Sequence, residues 1–250
     1  MTVTEILPDD EALRRARRAR LLDELEGAWV DILVAGREAN ARYVSGAPRL
    51  WMAGSRPFGL GCVLVRATGA IHLLSTWDEG IPEEIPHERL YGISFNSRNF
   101  LSVLQGVEGA ATAKVVATDA LATGAVTLLG AAFPEAEIID GGRLLDRARR
   151  VKTPEEVDAI RASVAVAERA LTATEAALAP GITERQLTGV FMEAMVANGV
   201  TTPAAQDVAW LTSPERPWHR AGRDVPVEAG DLVAFEAGVV RGGYIGELGR

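Results

Sequence analysis

The stretch "TPEEVDAIRASVAVAERALTATEAAL", residues 153–178, is the strongest constraint on what this chain can fold into. It opens on a helix start. Thr153 can cap, Pro154 suits the first helical position, and Glu156 completes a capping box. Val157, Ile160, Val164, Ala167, Leu171 and Leu178 then recur at helical spacing, which predicts one long amphipathic helix to about Ala179. Pro180-Gly181 stops it, and Thr183 with Gln186 makes a second capping box that starts another helix, ended at Gly199.

The preceding residues have a different rhythm. "EALRRARRARLLDELEG" reads as an amphipathic helix stopping at Gly27, with its arginines on the solvated face. "WVDILVAG" reads as a buried strand and "REANARYVSGAP" as a polar connection. "FGLGCVLVRATGAIHLLST" is two apolar runs joined across "RATGA", a hairpin pattern. "NFLSVLQGV" and "ALATGAVTLLGAAF" are helix-like, while "AKVVATD" and "AEIID" are short strands. The fold class expected is therefore α/β: a mixed N-terminal domain over residues 1–142, then an α+β region over 143–250. No glycine-rich phosphate loop of the GxGxxG or GxxxxGK[ST] type occurs.

Charge and cysteine content narrow the function classes. Twenty-six basic against 34 acidic residues give a formal charge of −8, which argues against nucleic acid or an anionic membrane as partner. The single cysteine, Cys62, excludes a disulfide framework and any multi-cysteine metal site, and its apolar surroundings make it a buried thiol. The longest apolar runs are strand-sized and nothing resembles a signal peptide, so a cytoplasmic location is expected.

The closing residues, "LVAFEAGVVRGGYIGELGR", form a hairpin with an acid on each arm, Glu236 and Glu247, eleven residues apart. Alternation along strands can bring two such acids to one face. Two adjacent carboxylates repel unless a cation lies between them or one holds a proton. Tyr244 is expected to pack within the hairpin, and His72 to be a strand residue without chemistry.

The order "RxxKTPEEVDAIRxxxxxAExAL", "PGITERQL", a "PWH" loop, "GDLVxFExG" and "GGYxGExGR" resembles the pita-bread-fold family of aminopeptidase P, prolidase, methionine aminopeptidase and creatinase. "RLLDELEGAWVDILVAGREANARYVSG" is similar to the creatinase-type N-terminal domain, whose "N..Y.(T/S)G" pattern matches Asn40, Tyr43, Ser45 and Gly46. The resemblance implies a creatinase-type N-terminal α/β domain followed by a partial pita-bread domain. It also implies a hydrolase of the Xaa-Pro aminopeptidase and dipeptidase type, acting on a small peptide or other C–N substrate as a homodimer. Two divalent metals (Mn, Co or Zn) would activate water at carboxylates matching Glu236 and Glu247, where the family has aspartates.

Each glutamate adds a methylene, which puts a conventional two-metal site in doubt, because metal–oxygen distances tolerate only about 0.2 Å. His219 matches the family's histidine before the first acid motif, a residue that contacts substrate, and Arg56 could meet an anionic substrate group. The family's remaining His and two Glu ligands would follow Glu247, whereas the histidines here are His72, His87 and His219. A longer parent protein is therefore expected, with these 250 residues inactive alone. Two other readings stay open. One is a creatinase-like, metal-independent hydrolase, without cofactor, using His219 as acid–base. The other is a catalytically dead binding or scaffold module.

Overall fold

The computed structural model describes residues 10–47, 61–75, 78, 80–92, 97–119, 123–205, 207–214 and 225–250. The chain divides into two compact units, Met1–Thr153 and Pro154–Arg250. Among the described residues, no helix is long and apolar enough to cross a membrane.

The first unit runs α1 (Asp10–Gly27), β1 (Ile32–Ala35), α2 (Glu38–Ser45), β2 (Cys62–Val65), β3 (Ile71–Leu74), a single 3-10 turn (His87–Arg89), β4 (Leu90–Tyr91), α3 (Ser97–Gln105), β5 (Val115–Thr118), α4 (Thr123–Ala132), β6 (Glu137–Asp140) and α5 (Gly142–Arg150). Its six strands form one mixed sheet in the order β4-β3-β2-β1-β5-β6. β2 and β3 are the antiparallel hairpin that "RATGA" predicts, with Cys62 opposite Leu73. β1 pairs parallel to β5, and β5 parallel to β6. Every residue of β1, β2 and β3 is buried, so both faces of these strands are covered. Leu33 and Leu64 face a core built with α1, α2 and α5, while Ile32, Val34 and Val63 face one built with α3 and α4. Cys62 lies in the first of these cores, and burial pushes its thiol well above the usual cysteine range.

The structure differs from two local expectations. "REANARYVS" is a helix, α2, rather than an irregular connection. At eight residues it is too short to hold itself, and what holds it comes from elsewhere in the chain. Asp119, just past β5, accepts backbone N–H bonds from Gly36 at 2.6 Å and Arg37 at 3.2 Å, and the Asn40 amide at 2.7 Å. Gly46, left-handed at φ 72°, closes the far end by donating its N–H to the Arg42 carbonyl.

The second change concerns the arginines of α1. Arg15 is solvated, but Arg17 is buried with its guanidinium 5.4 Å from the Tyr43 ring centre, and Arg149 stacks on the same ring at 5.6 Å. Arg14 and Arg18 reach Glu84. α1 stops at Gly27 as expected, and the left-handed residue that follows it is Trp29, at φ 56°.

The second unit runs α6 (Pro154–Ala176), α7 (Glu184–Ala197), β7 (Ala209–Thr212), β8 (Leu232–Arg241) and β9 (Tyr244–Gly249). The second capping box is present: the Thr183 N–H donates to Gln186 at 2.9 Å, and the Gln186 N–H donates to the Thr183 hydroxyl at 3.3 Å. Gly199, at φ 79°, follows α7 as expected. The strands form a sheet ordered β7-β8-β9, antiparallel throughout, and its apolar face packs on α6 and α7 through Phe235, Ala237, Val239, Leu171 and Phe191. The buried stripe of α6 keeps Ala167 and Leu171 of the expected set and is otherwise shifted. Ala159, Ser163, Val166, Ala170 and Thr174 are buried, whereas Val157, Ile160 and Val164 are only partly covered and Leu178 is exposed. Small residues are required there because the backbone of β9 comes very close.

Candidate functional site

The site predicted at Glu236 and Glu247 rests on the register of β8 and β9. Phe235 and Arg250 exchange both backbone hydrogen bonds, at 2.8 and 3.0 Å. The alternate positions, Glu236 opposite Gly249 and Gly238 opposite Glu247, are therefore the pairs without such bonds, whose side chains lie closest across a ladder. Each acid faces a glycine, and the two acids are diagonal neighbours on the face turned away from α6. Diagonal positions are roughly 7–8 Å apart, within reach of long side chains. Glutamate side chains are long enough to span this separation and to bring the two carboxyl groups under each other's influence. Hydrogen bonding to Glu236, then burial, then the charge of Glu236 push Glu247 above the usual carboxylate range. Both residues are exposed. The methylene that each carries beyond an aspartate is thus what lets the two groups meet.

The outer arm of the hairpin is fastened to α6 at four points. The Tyr244 hydroxyl donates to the Glu156 carboxylate at 2.9 Å, and both side chains are buried. The Ser163 hydroxyl lies 3.1 Å from the carbonyl of Tyr244. Gly246 passes so close to α6 that a Cβ there would stand 2.2 Å from the Val164 nitrogen and 2.3 Å from the Ser163 carbonyl carbon. At the end of β9, Arg250 pairs with Glu175 on α6 at 2.6 Å. β7 is held from the other side, where buried Glu184 of α7 accepts the Leu211 N–H at 2.7 Å. Tyr244 packs within the hairpin, as expected. Glu156, read as half of a capping box, also serves β9, a role its local sequence gives no sign of.

The other sequence candidates fall elsewhere. His219 and Arg56 lie outside the described residues. Asn40, Tyr43, Ser45 and Gly46 are brought together on α2 with structural tasks. Asn40 bridges Asp119 and Arg149, Tyr43 reaches the Ala148 carbonyl at 3.3 Å, and Ser45 bonds back to Ala41 at 2.8 Å. His72 is a buried strand residue as expected, and both ring nitrogens are engaged at 2.7 Å, one by Tyr91 and one by Glu108. Sequence reading missed Gly238 and Gly246. Their signal was alternation: each occupies a strand position two residues from Glu236 or Tyr244.

The donor set bears on whether a metal could be held. Two carboxylates that are diagonal neighbours on an open sheet face offer the oxygen donors a hard divalent cation asks for. They fit as two of its ligands. Among the described residues no group of three or more His, Cys, Asp or Glu gathers into a fuller set.

Residues 158–250 match metallopeptidase family M24, a span that contains both glutamates. No curated protein sequence matches the chain. Among solved structures, the prolidase of Pyrococcus horikoshii OT3 is similar at TM-score 0.71 and 16% identity, covering 94% of this chain and 63% of the prolidase. The X-Pro aminopeptidase of Thermotoga maritima gives 0.71 at 18% identity, with 93% and 64% covered. The dipeptidase PepE of Mycobacterium ulcerans gives 0.64 at 22%, with 97% and 64% covered. The chain thus spans a little under two thirds of these relatives' lengths. Sequence pattern and fold agree: the chain has, in part, the pita-bread fold of the prolidases and Xaa-Pro aminopeptidases, and residues 158–250 carry the pattern of metallopeptidase family M24.

Proposed function

We propose that this chain serves hydrolysis of a peptide C–N bond of the Xaa-Pro type, on small peptides, with Glu236 and Glu247 as two oxygen ligands of a divalent metal site. The observation that carries the reading is the diagonal approach of two exposed carboxylates near the open end of a hairpin, inside the span that matches family M24. The printed activities of the similar structures, prolidase, X-Pro aminopeptidase and dipeptidase, support the substrate class. When bound, Mn, Co or Zn would supply the Lewis acidity that makes water a nucleophile near neutral pH.

The chain's own residues do the rest. Glu236 and Glu247 concentrate negative charge on one open face and, among the described residues, are diagonal neighbours of each other. Glu156, Ser163 and Gly246 keep the arm bearing Glu247 from moving. His219 is assigned to hydrogen-bond the substrate, a role suited to a side chain that titrates near neutrality, and Arg56 to meet an anionic substrate group. A homodimer in the cytoplasm belongs to the same proposal.

The test is release of proline from Xaa-Pro dipeptides with Mn2+, Co2+ or Zn2+ added, alongside metal uptake measured by mass spectrometry. Turnover that disappears in Glu236→Ala supports the reading. Metal uptake that is absent, or unchanged in Glu236→Ala, would sink it.

A further inference from the structure

Gly238 is the residue opposite Glu247, and its missing side chain leaves the room that Glu247 occupies. A Cβ at this position would stand 3.3 Å from Cγ and 3.4 Å from Cβ of Glu247, and 2.8 Å from the Cβ of Ala204. The neighbouring backbone is tied down on both strands. The Ala204 N–H donates to the Gly238 carbonyl at 2.9 Å, the Val240 N–H donates to the Thr202 carbonyl at 2.8 Å, and Pro203 bridges to Val239. Neither side of the gap can therefore retreat freely. From β9 the arm cannot shift either, because Gly246 already touches the α6 backbone.

We propose that Gly238 is a positioning residue: its bare backbone is the seat across which Glu247 lies to reach Glu236, so a single methyl there separates the two acids while leaving the fold in place. The inference rests on reading the Glu236–Glu247 pair as the working site. It makes no claim on which peptide is cut. A glycine at 238 has two possible uses, contact with Ala204 and clearance for Glu247, and these can be separated by mutation.

Three proteins decide it: wild type, Gly238→Ala, and the double variant Ala204→Gly/Gly238→Ala. The second mutation removes the methyl that collides at 2.8 Å but leaves the contacts with Glu247. Side-chain nuclear Overhauser contacts between Glu236 and Glu247 report the pair, and thermal unfolding reports the fold. The single variant is expected to unfold several degrees lower and to lose the Glu–Glu contact. The double variant is expected to return to within about 2 °C of wild type and still lack the contact. A double variant that recovers both overturns the proposal, since Gly238 would then serve only Ala204. So does a single variant that keeps the contact.

Titration of Mn2+ into the same proteins reads the functional consequence, with affinity about tenfold weaker in both variants. If wild type shows the Glu–Glu contact but takes up no Mn2+, the hydrolase reading fails and the seat stands.

Discussion

Asp119 in the first unit and the Glu236–Glu247 pair in the second show two ways of placing carboxylates. Asp119 is buried, and each of its oxygens is met by donors: two backbone N–H groups at the start of α2 and the amide of Asn40. A carboxylate so surrounded stabilises its charge and organises the chain around it. The glutamates sit on an open face, each opposite a glycine, and the partner that each finds is the other. Donor-rich carboxylates hold a fold together. A donor-poor pair on a braced hairpin leaves its oxygens open, which is what the proposed role of Glu236 and Glu247 as metal ligands requires.

This contrast can be broken most forcefully at Asp119. Asp119→Ala leaves Gly36, Arg37 and Asn40 without their acceptor and should cost about 2–4 kcal/mol in urea unfolding. Glu236→Ala should stay within about 0.5 kcal/mol of wild type, as surface changes do. Equal losses from the two substitutions would remove the distinction.

Next in size is the brace. Tyr244→Phe takes a hydroxyl from the buried Glu156 carboxylate and should cost about 1–2 kcal/mol, with the loss confined to the second unit when followed by hydrogen exchange. A loss spread evenly over both units would argue against a local fastening.

The smallest effect sharpens the comparison through the sign of its pH dependence. Burial pushes Asp31 upward, but the N–H groups of Lys114 and Val115 and the guanidinium of Arg66 outweigh it, and the folded value ends below the ordinary 3.8. Its contribution is therefore present above that value and lost as pH falls through the lowered one. Glu247 is raised above the ordinary 4.5, so it contributes below 4.5 and its contribution is lost as pH rises through the folded value. Glu247→Gln should flatten the second trend, and near neutral pH it should be neutral or stabilising by less than about 0.5 kcal/mol, the pair being exposed. Marked destabilisation by Glu247→Gln at neutral pH would show that the carboxylates are not opposed.

What the sequence disclosed follows the same division. Features written locally were readable: both ends of α7, the β2–β3 hairpin, and the spacing that sets Glu236 and Glu247 on one face. Features that depend on distant residues were not. α2 lacks a cap of its own, so "REANARYVS" shows no start signal; its cap lies 83 residues from Gly36. Arg17 looks solvated until Tyr43 is laid beneath it. On α6 Ala167 and Leu171 are buried as their spacing implies, but in the first half of the helix the close pass of Gly246 selects Ala159 and Ser163 over Val157, Ile160 and Val164. At the site, motif order located the acids, whereas their diagonal meeting depends on register and on glycines opposite them.

The dependence of α2 on Asp119 also orders events in time. During synthesis at roughly 5–20 residues per second, Gly36 leaves the ribosome several seconds before the residue that caps its helix exists. An eight-residue helix gains little by itself, so this segment must remain unsettled until β5 docks beside β1. The first unit is thereby committed to fold late and all at once, and a nascent chain arrested before residue 119 should offer α2 to proteases that the finished protein resists.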